Sequence, residues 1–126
     1  MKENARKTLT IVLTDGPYIS EYADMAYKIA KAALKNCRVN IFLYLDAVHI
    51  PKIGQNPVNF SNAGQLFQKL AILGVRVVAC SRCAAARGYF SEDGECSDYL
   101  PGIKITSIYD LAEMFSESDK VISLSR

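Results

Sequence analysis

The sequence has no tryptophan and a single histidine, His49. The first absence removes the tryptophan that precedes a thioredoxin active-site pair. The second leaves His49 outside any paired metal-ligand motif. Also missing are a P-loop and a G-x-G-x-x-G after the first apolar run, so nucleotide binding has no positive signal. No apolar stretch is long enough for a secretory h-region or a membrane span. The opening Met1 to Lys7 is polar and charged, so a cytoplasmic protein with no membrane partner is expected. Charge of one sign is not concentrated either. The 15 basic and 13 acidic residues are mixed along the chain, for a net charge of +2. With no basic stripe to neutralise phosphates, nucleic acid is not an expected partner.

What is present is an ordinary globular composition, half hydrophobic and 22% charged, over 126 residues. A chain of this size buries about two-thirds of its unfolded surface, so residues 1–126 are read as one self-sufficient domain. Thr8 to Thr14 (TLTIVLT) is a β-branched apolar run of the kind that fills a strand buried on both faces. Asp15, Gly16 and Pro17 end it. A helix is predicted from about Ser20 to Asn36, with Ser20 as cap and an apolar stripe at Met25, Ala26, Ile29, Ala30 and Ala33. Arg38 to Leu45 reads as a second strand. The run from Asp46 to Phe60 holds Pro51, Gly54 and Pro57 and is predicted as a long loop, a candidate wall of a site.

Ser61 or Asn62 caps a second helix, with Gln65 completing a capping box for Asn62 and Gly74 closing the other end; its predicted stripe is Leu66, Phe67, Leu70 and Leu73. Val75 to Ala79 is a third strand, Ser81 to Arg87 a short helix, and 88–102 a surface loop. Ile103 to Ile105 is a fourth strand. A helix with stripe Ile108, Leu111, Ala112 and Phe115 follows, and Lys120 to Leu124 is a fifth strand. Alternating strands and helices predict an α/β fold, a five-stranded parallel sheet with helices on both faces. Chemistry in such folds gathers at the carboxyl ends of the strands. The loops at 15–19, 46–60 and 80–83 share that end, which places Asp15, Tyr18, His49, Cys80 and Cys83 near one another.

Three of the four cysteines, Cys80, Cys83 and Cys96, lie close together in sequence. In a reducing compartment they read as free thiols, a catalytic site or metal ligands rather than a disulfide frame. Cys80 stands where a buried strand gives way to a helix. Unpaired N–H groups there favour thiolate and lower the pKa from about 8.5, and Arg82 and Arg87 add to that field. The bland reading makes Cys80 a small buried hydrophobe. Cys80-Ser81-Arg82-Cys83 is a CxxC, consistent with a dithiol redox pair, half a zinc site or coincidence. Only Cys96 and His49 are available to complete a zinc set, and neither is part of a paired motif, so no metal is expected. Cys37 reads as structural, Cys96 as an exposed spectator in a polar loop or a mobile second thiol, and His49 as a surface-loop residue or a general base.

The spacing C-x3-A-A-x-R-G, carried by Cys80, Ala84, Ala85, Arg87 and Gly88, resembles the segment around the active cysteine of the DsrE/DsrF/TusD-like sulfur-relay family. Ile11 to Tyr18 (IVLTDGPY), Ile41 to His49 (IFLYLDAVH) and Asp110 to Leu124 support it in order and spacing, so the resemblance runs nearly end to end. It implies a three-layer, flavodoxin-like (DsrEFH-like) fold and assembly into trimers or hexamers. It further implies that Cys80 accepts sulfane sulfur as a persulfide from a donor protein and passes it to an acceptor thiol, a sulfurtransferase activity without metal or organic cofactor. Cys80 and Cys83 are the candidate catalytic residues, and Asp15, Tyr18, His49, Arg82 and Arg87 the candidate substrate-binding ones. A CxxC dithiol oxidoreductase and a non-catalytic oligomeric binding module are the competing readings.

Overall fold

A computed structural model describes residues 6–126; Met1 to Ala5, most of the polar opening segment, lie outside the described residues. The elements run β1 (Lys7–Leu13), α1 (Tyr22–Ala33), β2 (Cys37–Leu43), a 3-10 helix (Leu45–His49), α2 (Ala63–Leu73), β3 (Arg76–Cys80), α3 (Ser81–Ala86), β4 (Lys104–Thr106), α4 (Ile108–Glu117) and β5 (Lys120–Leu124). The five strands pair in parallel in the order β4-β3-β2-β1-β5. The expected α/β sheet is therefore present.

Register gives the sheet one continuous apolar face. Leu9, Ile11 and Leu13 stand beside Val39, Ile41 and Leu43, and the last two beside Val77 and Ala79. All eight are buried and form one face. The chain steps β1 to β2 to β3 in one direction and returns from β4 to β5, so right-handed crossovers put α1 and α2 on one face and α4 on the other. On the α4 face the fully buried Thr10 shares a hydrogen bond with Ser118, the residue closing α4, and accepts another from Asn40 Nδ2 at 3.2 Å.

The helix ends follow their sequence signals with one shift. Asn62 caps α2 by accepting from the Gln65 N–H at 3.0 Å, and Gly74 closes it with φ +112°, a conformation glycine adopts without steric cost. Ser20 lies one residue before the cap of α1, Glu21, yet its hydroxyl accepts from the Tyr22 N–H.

Four expectations are corrected. Met25, predicted on the sheet-facing stripe of α1, is exposed, and the helix buries Ala23, Ala26 and Ala30 instead. The run 46–60 is not irregular throughout, because its first residues wind into the 3-10 helix and bury Ala47, Val48 and Ile50. Leu73 is exposed at the end of α2, where the helix core contacts are Ala63, Phe67 and Leu70. In α4 the residue in the core is Met114, while Ile108, Ala112 and Phe115 are exposed and only Leu111 of the predicted stripe packs inward. A helix with apolar side chains on more than one face carries an ambiguous stripe, and here the sheet takes the narrower one. Among the described residues no helix is long and apolar enough to cross a membrane.

Candidate functional site

Cys80 is the last residue of β3 and the cap of the six-residue α3, and Cys83 lies on the first turn of that helix. Both are buried, Cys80 with 2% of its surface exposed and Cys83 with 9%. Both are free thiols, and the two are close enough for Cys80 to perturb Cys83.

The turn that follows β2 is fastened to this pair. The Leu45 N–H donates to Cys83 Sγ at 3.2 Å. Leu45 itself has φ +52°, a left-handed conformation that costs a side-chain-bearing residue about 1–2 kcal/mol. Strain of this kind persists where neighbouring contacts over-determine the backbone. Here they are identifiable. Arg87 Nε donates to Asp46 Oδ1 at 2.7 Å, and Arg87 Nη1 donates to the Cys83 carbonyl at 3.0 Å. The Ala47 N–H donates to Thr14 O at 3.1 Å, and Gly16 lies so near that a Cβ there would sit 3.1 Å from Asp46 O. The segments that follow β1 and β2 thus meet α3 at the carboxyl edge of the sheet.

Burial is the largest influence on the Cys83 thiol and pushes its pKa up. The Leu45 N–H works against that, the neighbouring Cys80 adds to it, and the Arg87 guanidinium opposes it. The Arg87 hydrogen bond holds the Asp46 carboxyl below the usual carboxylate range, and the same bond raises the Arg87 pKa further. The Arg87 charge reaches both thiols.

The other residues predicted for the site direct their side chains elsewhere. Asp15 is buried, accepts from Ser20 Oγ at 2.7 Å and pairs with Arg126 Nε at 3.0 Å. Tyr18 also has a left-handed backbone, with φ +69°. Its hydroxyl accepts from the Ala63 N–H at 3.1 Å and donates to Gln55 at 2.6 Å, which fixes the start of α2, and its ring leans on Phe60. His49 Nδ1 shares a 2.7 Å hydrogen bond with the Tyr89 hydroxyl. The Arg82 side chain is exposed and forms no hydrogen bond or ion pair with another described residue. The structure therefore gathers Cys80, Cys83 and Arg87, and sets Asp15, Tyr18 and His49 in separate hydrogen-bonded groups.

Cys96 is buried, which corrects the reading of an exposed spectator. It lies near Tyr89 and Tyr99, whose rings pack together at 5.2 Å. The Tyr99 hydroxyl donates to Val48 O at 2.5 Å and so ties the segment 88–102 to the 3-10 helix. Desolvation of both phenols pushes their pKa values up. Among the described residues no three His, Cys, Asp or Glu side chains are grouped to hold a metal ion.

Asp46 opens the run predicted as a candidate site wall, but the pairing of Leu45 and Asp46 with the thiol site is what sequence reasoning missed. They lie 38 and 41 residues from their partners Cys83 and Arg87, and no local pattern links the two segments.

The sequence model of the DsrE/DsrF-like family matches residues 7–124. The chain belongs to the DsrE/DsrF-like family. Family membership ties it to a sulfur-relay-related role at the level of the family. An uncharacterised protein of Methanopyrus kandleri is 36% identical over 115 residues, covering 90% of this chain and 91% of the relative. An uncharacterised protein of Methanocaldococcus jannaschii is 35% identical over 115 residues, covering 90% and 96%. Among solved structures, the crystal structure of the YchN protein from Escherichia coli superposes with a TM-score of 0.82 at 25% identity, covering 94% of this chain and 99% of that one. This DsrE/DsrF-like fold also matches a conserved protein of unknown function from Bacteroides thetaiotaomicron, with a TM-score of 0.68 at 18% identity over 95% and 97% of the two chains, a likeness of fold alone.

Proposed function

We propose that this protein is a cytoplasmic sulfur carrier that accepts sulfane sulfur on Cys80 and passes it to the thiol of an acceptor protein. The observation that carries the reading is the place of Cys80, a free thiol at the carboxyl end of β3 beside a second thiol and the Arg87 guanidinium, in a DsrE/DsrF-like chain. The Cys80 thiolate attacks the outer sulfur of a donor persulfide, and the donor thiolate leaves. A thiolate of the acceptor then attacks the outer sulfur of Cys80-S-SH, and the Cys80 thiolate leaves. Each step is thiol exchange with a persulfide in place of a disulfide, and none uses a metal or an organic cofactor. In this sense the activity is that of a sulfurtransferase.

Burial of Cys80 sets a condition on this chemistry. With 2% of the residue exposed, α3 or the Leu45 turn must shift before a partner thiol reaches the sulfur. Exposed apolar side chains favour assembly at another surface. The α4 side of the sheet exposes Ile108, Tyr109, Phe115 and Val121, the kind of apolar surface that supports a homo-oligomer, with trimer or hexamer implied by the family resemblance.

The test is incubation with a low-molecular-weight persulfide donor followed by mass spectrometry of the Cys80 peptide. The carrier gains one sulfur atom on Cys80, and Cys80→Ser gains none. Equal labelling of the two proteins refutes the reading. The contact between Cys80 and Cys83 favours one alternative, a dithiol oxidoreductase that cycles through a Cys80–Cys83 disulfide without sulfane sulfur. Such a protein forms the disulfide under mild oxidation and takes up no sulfur from the donor.

A further inference from the structure

The contacts around the thiol pair are unequal. The Leu45 N–H is aimed at Cys83 Sγ, and Arg87 binds the Cys83 carbonyl while gripping Asp46 in the same turn. These bonds fasten Cys83 to the 3-10 helix, whereas Cys80 occupies the junction of β3 and α3. A thiol that only fills space has no need of a directed N–H donor. A sulfur that carries negative charge while it attacks is stabilised by one.

Resting on the carrier reading, we propose that Cys83 is a resolving thiol that discharges Cys80, held in position for attack by the Leu45 N–H and the Asp46–Arg87 pair. In the step, the Cys83 thiolate attacks the inner sulfur of Cys80-S-SH. The Cys80–Cys83 disulfide forms as the bond between the inner and outer sulfurs breaks. The outer sulfur leaves as hydrosulfide with the bonding electron pair and its own proton. The sulfane sulfur is reduced by two electrons, and the two cysteines are oxidised to the disulfide. An external dithiol then reduces that disulfide, becoming a disulfide itself, and returns the site to its starting state.

The spacing allows this with little motion. Side chains three residues apart at a helix start have Cβ atoms about 5–6 Å apart, and a disulfide needs about 3.8 Å. Cys83 also decides when discharge occurs. The titratable and charged groups facing it are Cys80 at the strand end and Arg87 at the end of α3, the latter paired with Asp46 of the 3-10 helix. Burial outweighs them and pushes the Cys83 pKa above the ordinary thiol range. The carrier state therefore persists near pH 7, and discharge accelerates by roughly tenfold per pH unit toward the Cys83 pKa, because only the thiolate attacks.

The experiment loads the full chain with glutathione persulfide, removes the small molecules, and follows the loaded protein from pH 7 to 9. Three quantities are read: sulfur retained on the Cys80 peptide, hydrosulfide released, and Cys80–Cys83 disulfide in the unreduced digest. Wild type is expected to lose its sulfur with one hydrosulfide and one disulfide per label, faster at higher pH. Cys83→Ser and Cys83→Ala are expected to keep the label at least about tenfold longer. Equal label lifetimes in wild type and both variants overturn the proposal, and so does wild-type release without the disulfide. The disulfide readout needs no variant, so a misfolded substitution does not rescue the idea. A wild-type protein that never loads on Cys80 overturns the carrier reading and this proposal together, a result distinct from loading without discharge.

Discussion

Tyr99→Phe isolates one bond in the frame that supports the thiol pair. The Tyr99 ring is buried and its hydroxyl donates to Val48 O at 2.5 Å, between the segment 88–102 and the 3-10 helix that begins at Leu45. Phenylalanine keeps the ring and its packing on Tyr89 but leaves a buried carbonyl without that donor. The cost is about 1–3 kcal/mol, which for a chain of this size lowers Tm by roughly 3–9 °C. A second signature lies in alkali. Desolvation raises the Tyr99 pKa above its unfolded value, so the folded state holds the phenolic proton more tightly. That contribution is fully present below pH about 10 and is lost as pH rises beyond it, at up to about 1.4 kcal/mol per pH unit. Tyr89 is shifted in the same direction and keeps its own share in the variant. Denaturant melts of both proteins between pH 7 and 11 provide the assay. Wild type should lose stability more steeply above pH 10 than Tyr99→Phe. Equal denaturant midpoints at pH 7 with superimposable alkaline profiles would refute the role given to this bond.

Asn62→Ala removes the side chain that caps α2 and should cost about 1 kcal/mol in a urea melt. Thr10→Val keeps the volume of a fully buried residue but strips the partner of Asn40 and Ser118, and should destabilise by about 1–2 kcal/mol by the same measurement. If the exposed apolar side of α4 and β5 is where copies of the chain meet, Phe115→Glu combined with Val121→Lys should reduce the mass seen in solution by light scattering to that of a single chain. An unchanged mass would place the interface elsewhere.

Much of the fold is legible locally. The β-branched run at Thr8 to Thr14 becomes a buried strand because Leu9, Ile11 and Leu13 find apolar neighbours in register on one face while Thr10 is hydrogen-bonded on the other. Asn62 and Gly74 bound α2 because an oxygen three residues before an N–H and a glycine at positive φ solve local backbone problems. What fails depends on distant parts of the chain. The 3-10 helix at Leu45 forms where Ala47, Val48 and Ile50 find a core made by other segments, and the prolines and glycine that follow hid it. Phe115 and Ile108 fit a helical period as well as Met114 does, and only the position of the sheet selects Met114. The same division runs through the site. Cys80, Cys83 and Arg87 lie within one short segment and stand out by spacing, whereas Leu45 and Asp46 join them across about forty residues through a hydrogen bond and an ion pair that no periodicity encodes.

The central claim is that Cys80 carries sulfur. Its most direct test is the mass of the Cys80 peptide after exposure to a persulfide donor and transfer to a thiol acceptor. A sulfur carrier gains one sulfur atom on Cys80, loses that atom when the acceptor is added and yields it to the acceptor, with Cys80→Ser silent at every stage. Sulfur found on Cys83, Cys96 or Cys37 while the Cys80 peptide stays unmodified would contradict it.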